Sequence, residues 1–105
     1  MALLISMAVR PGGVAWLSVS GDIDLATGDE LTTAITDATK TPEVDCVVVD
    51  LDQVTFLDSS GIAVLVDGRR TAEANACRYR VVNPHGVVRR VLDVTGVRAF
   101  LEGDA

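Results

Sequence analysis

Asp58-Ser59-Ser60-Gly61 is the stretch whose residue types can do chemistry. It lies between a valine-rich run, Cys46-Val47-Val48-Val49, and a segment that places apolar residues at Ile62, Leu65, Val66 and Ala72, the spacing of one helical face. Short polar side chains at such a strand-to-helix junction can do three things. They can cap the orphan N–H groups of the first helical turn. A serine among them can act as a nucleophile, or it can accept a phosphoryl group, which the positive end of the helix then accommodates. Nucleophilic use calls for a strained Gly-x-Ser-x-Gly elbow and a base held by an acid. Gly61 sits two positions after Ser59, but Leu57 stands two before it. The sole histidine, His85, falls in a turn-like Asn83-Pro84-His85-Gly86, and nothing places it beside Ser59. The sequence argues against a triad, and with no second imidazole it argues against a metal site as well.

The elements that must hold this tetrad read outward from it. The valine run closed by Asp50 is too short for a globular helix and predicts a central strand, Cys46 to Leu51, buried on both faces of a sheet. Upstream, Leu3, Ile5, Met7 and Val9 share one face of a first strand, Arg10-Pro11-Gly12-Gly13 is turn chemistry, and Val14 to Ser20 returns as a second strand. Gly21-Asp22-Ile23-Asp24 closes this hairpin. Trp16 falls on the face opposite Ala15, Leu17 and Val19, which suits a cover over a sheet edge rather than exposure to a partner. Thr27 and Glu30 have capping-box spacing and open a helix with Leu31, Ala34, Ile35 and Ala38 on one face, ending near Lys40 before Pro42.

Downstream, Arg78 to Asn83 resumes a strand pattern. Asn83-Pro84-His85-Gly86 then turns the chain into a short helix with Val88, Val91 and Leu92 inward and Arg89 and Arg90 toward water. Gly96 suits a helix stop, and Val97 to Leu101 reads as a last short strand. An initial hairpin followed by alternating helices and strands predicts one α/β domain over residues 1–105, a mixed β-sheet packed with α-helices.

Composition narrows the function. A chain of 105 residues builds one core and has no room for a second. A net charge of −6 disfavours a nucleic-acid surface, which needs clustered Lys and Arg. Cys46 and Cys77 lack Cys-x-x-Cys spacing and read as two buried thiols in a reducing, cytoplasmic setting. No apolar run approaches a membrane span, and the N-terminus lacks the pattern of a signal peptide. A soluble protein without a cofactor is expected.

Three motifs in this order resemble the STAS domain, and more narrowly the bacterial anti-sigma factor antagonists, also called anti-anti-sigma factors. They are Gly21-Asp22-Ile23-Asp24, then Phe56-Leu57-Asp58-Ser59-Ser60-Gly61 after the valine strand, then Val88 to Gly96. The resemblance covers nearly the whole chain. It implies a small regulatory protein, not an enzyme, that binds an anti-sigma factor of the serine-kinase type. It implies further that phosphorylation of Ser59 switches the protein off and that a phosphatase reverses the switch. Asp24, matching an aspartate of the family's Gly-x-x-Asp motif near that serine, joins Asp58, Ser59, Ser60 and Gly61 as the partner-binding set. The free protein is expected to be a monomer, with Ser60 as the helix cap. Many STAS domains carry a further helix after the last strand, whereas this sequence stops at Glu102-Gly103-Asp104-Ala105. Two other readings stand beside this one: a STAS subunit of a sensor assembly or lipid-transport complex, and a small serine hydrolase, which Leu57 and the missing base disfavour.

Overall fold

The computed structural model describes residues 3–98 and 101. Along the chain come β1 (Leu4–Arg10), β2 (Val14–Ile23), α1 (Gly28–Thr39), β3 (Cys46–Leu57), α2 (Ser59–Ala74), β4 (Arg78–Val82) and α3 (Gly86–Thr95). The strands form one sheet in the order β1-β2-β3-β4. β1 runs antiparallel to β2, while β2–β3 and β3–β4 are parallel pairs. A parallel pair needs a crossover, and α1 and α2 supply the two that this sheet requires. This is the mixed α/β architecture expected from the sequence.

The sheet's central element is β3. Val47, Val49 and Leu51 point to the side on which Ala15, Leu17, Val19 and Val81 also lie. Leu31, Ile35 and Ala38 of α1 and Leu65 and Ala72 of α2 complete this core. Cys46 and Val48, on the opposite side, are buried too, so the first half of β3 is enclosed on both faces as its valine run predicts. α3 packs against β3 through the buried Val88 and Leu92, with Arg89 and Arg90 exposed. The turn from β1 to β2 is tied to the start of β3: Gly13, with φ of 77°, offers its carbonyl to the N–H groups of Asp45 and Cys46 at 2.9 and 3.2 Å.

Several local expectations change in the fold. Gly21-Asp22-Ile23 does not close a hairpin: β2 continues to Ile23 and pairs with the far half of β3, through Leu57, after register shifts at Ser18/Ser20 and Gly21/Asp22. Trp16 does not cover an edge, because β2 is interior and Trp16 lies between Ala8 and Val48. Its indole N–H donates to Asp50 Oδ2 at 3.1 Å, and the Arg10 guanidinium sits 3.9 Å from its ring centroid. Among the described residues of Val97 to Leu101 there is no strand. Arg98 and Leu101 are helical, and the Leu101 N–H donates to the Val97 carbonyl at 3.0 Å; Ala99, Phe100 and Glu102 to Ala105 lie outside the described residues. Cys46 and Cys77 are free thiols, both buried. Among the described residues no helix is long and apolar enough to cross a membrane.

Candidate functional site at the start of the second helix

The tetrad sits where β3 delivers the chain into α2. Asp58 has extended backbone, φ −108° and ψ −172°, and its Oδ1 accepts the Gly61 N–H at 3.0 Å. That is the geometry of an N-cap, so the cap is Asp58 and not Ser60. Ser59 becomes the first helical residue and is exposed, while Ser60 is half-buried. With the carboxylate of Asp58 bound to the helix end, Ser59 stands exposed in the first turn. No acidic residue lies within that turn itself.

Gly61 fixes what stands opposite. A Cβ at this position would come within 2.6 Å of the Ile23 carbonyl oxygen and 2.4 Å of Leu57 Cδ1. No side chain fits, so the end of β2 packs directly on the first turn of α2. The same carbonyl accepts the Asp58 N–H at 3.3 Å. The loop after Ile23 is therefore brought beside the tetrad by main-chain contacts, and it carries Asp24.

Asp24 organises that loop. Its Oδ1 accepts the Ala26 and Thr27 N–H groups at 2.9 and 3.1 Å and lies 3.2 Å from Thr27 Oγ1. Its carbonyl accepts the Gly28 N–H at 2.9 Å. Thr27, buried, donates its hydroxyl to the Asp22 carbonyl at 2.7 Å and accepts the Asp24 N–H at 3.0 Å. The expected capping box of Thr27 and Glu30 does not form, because the threonine oxygen is spent on this loop and makes no side-chain cap to α1. Asp22 instead accepts from the Thr55 hydroxyl at 2.9 Å. The structure thus draws Asp24, Asp58, Ser59, Ser60 and Gly61 to one end of the sheet.

At this end the sequence reading missed Leu25 and gave Phe56 only as part of a motif, with no role at the surface. Leu25, 84% exposed, follows Asp24 in the loop, and Phe56, 44% exposed, is the register partner of Asp22. A leucine standing outside any periodic pattern in a polar loop was the available signal. His85 does not join them: its Nε2 hydrogen-bonds to the Asp52 carbonyl, and the residue stands at the N-cap position of α3.

Comparisons with known proteins bear on the family and the fold. The STAS domain family model matches residues 6–103. An anti-sigma F factor antagonist from Paenibacillus polymyxa is 26% identical over 85 residues, covering 81% of this chain and 73% of its own. The crystal structure of an anti-sigma factor antagonist from Mycobacterium paratuberculosis superposes with a TM-score of 0.81 at 27% identity, covering 94% of this chain and 82% of the other. The unphosphorylated form of the anti-sigma factor antagonist SpoIIAA is similar in fold, with a TM-score of 0.76 at 22% identity over 91% of this chain and 84% of its own. A family match over nearly the entire sequence, on a mixed sheet that presents Asp58-Ser59-Ser60-Gly61 at the start of α2, makes this chain a member of the STAS domain family.

Proposed function

We propose that this protein is an anti-sigma factor antagonist, acting in the cytoplasm, that binds an anti-sigma factor of the serine-kinase type and is switched off by phosphorylation of Ser59. The observation that carries the reading is the exposed Ser59 in the first turn of α2, next to an Asp58 carboxylate already committed to capping. The relatives named antagonists support the partner class. The phosphorylated form of SpoIIAA of Bacillus, similar in fold with a TM-score of 0.70, supports the reading that such a fold can carry a phosphate.

In the proposed step the Ser59 oxygen attacks the γ-phosphorus of ATP held by the partner. The O–P bond to serine forms, the bond to ADP breaks, and the serine proton passes to a base of the kinase. The product carries about −1.5 to −2 charges at a helix N-terminus, where N–H groups and the dipole receive them, so the fold is kept. Asp58 stands next in the chain, and the Asp24 loop is tethered to the same turn through Ile23. An acidic face becomes more acidic and bulkier where a partner must approach, and affinity falls. A phosphatase restores the binding form. Intact mass and site mapping after incubation with the anti-sigma factor and ATP test this reading: phosphate on Ser59 supports it, and a chain that stays unmodified or is modified elsewhere refutes it.

A further inference from the structure

β1 forms one edge of the sheet, and among the described residues no strand lies against its outer side. Proteins keep such edges from pairing with lysines, prolines, bulges or covering loops. The first three are missing from Leu4-Ile5-Ser6-Met7-Ala8-Val9-Arg10, which contains no proline or lysine and runs in unbroken register from Leu4↔Ser20 to Arg10↔Val14. Leu4, Met7 and Val9 are 68%, 46% and 53% exposed. Beside it, between β1 and α1, runs a groove of about 350 Å³ lined by Ile5, Met7, Leu17 and Ala34, with Glu30 and Asp37 also along it.

We infer that this edge pairs with the same edge of a second copy, antiparallel and centred on Met7, to join two sheets into one of twice the width. The pattern of β1 is what selects a second copy. In that register Met7 faces Met7 of the other copy, Ile5 faces Val9, Ser6 faces Ala8, and Leu4 faces Arg10. Apolar residues on the helix-covered side meet apolar residues, and the small Ser6 and Ala8 meet on the other side. The only charge on the strand, Arg10, lies opposite a leucine and never opposite itself. A two-fold axis through Met7 closes the contact, so it yields a dimer and leaves no β1 edge open for further addition. Glu30 and Asp37 of α1 flank the axis from both copies. Their mutual repulsion opposes association, and added salt strengthens the dimer by screening it. No residue of the Asp24 loop or of the tetrad lies on β1, so this contact is independent of the function proposed above. It differs from the expectation of a free monomer.

The test is sedimentation of the full chain over a wide concentration range, with and without added salt, combined with cross-linking. A monomer–dimer equilibrium that tightens with salt is expected. Met7→Lys sets two like charges opposite each other on the axis and is expected to leave only monomer, still folded by circular dichroism. The register is read by oxidation. Directly opposed residues of an antiparallel pair have Cα atoms within disulfide range, so Met7→Cys is expected to give a covalent dimer, whereas Val9→Cys, which faces Ile5, is not. A monomer at every concentration overturns the inference. So do aggregation without a defined dimer, and a Val9→Cys variant that cross-links as readily as Met7→Cys.

Discussion

The Ile23 carbonyl oxygen lies 2.6 Å from the point where a Cβ on Gly61 would stand, and it accepts the Asp58 N–H at 3.3 Å. This contact joins the Asp24 loop to the helix that carries Ser59. Gly61→Ala forces a methyl group against that carbonyl and against Leu57. The expected cost is about 1 to 3 kcal/mol of stability, as for overpacking of a tight site. Partner binding should weaken in step. Chemical denaturation of the variant checks it, and an unchanged midpoint would show that the two segments separate freely.

Asp58 and Ser60 exchange the roles that the residue types suggest. Asp58→Ala removes the acceptor for the Gly61 N–H and is expected to cost about 1 kcal/mol, whereas Asp58→Asn keeps an oxygen there and should cost a few tenths. Ser60→Ala is expected to leave stability within about 0.5 kcal/mol of the wild type. Thermal unfolding of the three variants side by side separates the two assignments.

The main elements were legible in the sequence because burial imposes periodicity. The valine run of β3, the faces of α1 at Leu31, Ile35 and Ala38 and of α2 at Leu65 and Ala72, and the left-handed Gly96 after α3 follow from patterns of a few residues. What was not legible depends on partners distant in sequence. β2 reaches Ile23 only because the far half of β3 lies beside it. Thr27 gives up capping because the Asp22 carbonyl is within reach of its hydroxyl. The choice between Asp58 and Ser60 as cap turns on which residue leaves helical dihedrals first, which neighbouring polar side chains do not reveal. The site residues came from motif order, and their convergence needed the contact between Ile23 and Gly61.

On the proposed partner surface, Leu25 and Asp24 should separate affinity from stability. Leu25→Ala removes an exposed side chain and is expected to leave unfolding unchanged while lowering affinity roughly tenfold. Asp24→Asn retains the Oδ1 that holds the Ala26 and Thr27 N–H groups, so the loop should persist while the loss of charge weakens binding or alters phosphorylation. Titration calorimetry against the anti-sigma factor reads both, and wild-type affinity in both variants would move the interface elsewhere.

Alkaline pH should act through two buried groups. Tyr79, the only tyrosine, donates its hydroxyl to the Leu65 carbonyl at 2.9 Å, and burial holds its proton well above the usual tyrosine range. The Cys77 thiol is pushed up by burial, with Asp45 and Cys46 adding to it. The unfolded chain loses these protons first, so this stability is present below about pH 8.5 and declines as pH rises through about 10. Tyrosinate absorbance is expected to appear only with unfolding. A reversible titration near pH 10 in the folded protein would contradict it.

Leu65 is fully buried between α2 and the sheet, and Leu65→Ala is expected to cost about 2 to 5 kcal/mol through lost burial and a residual cavity. Equilibrium denaturation gives the value directly. A cost below about 1 kcal/mol would mean that the core relaxes to fill the space.

The most direct measurement of the central claim is the affinity of the anti-sigma factor for the protein before and after phosphorylation, with the modified residue mapped and with Ser59→Ala and Ser59→Asp measured alongside. One phosphate on Ser59 and an affinity lowered about a hundredfold, equivalent to about 3 kcal/mol, are expected. Ser59→Ala should bind without being switched, and Ser59→Asp should bind poorly at near-native stability. Phosphate on Ser60, or a Ser59→Asp variant that binds as tightly as the unmodified protein, would contradict the account.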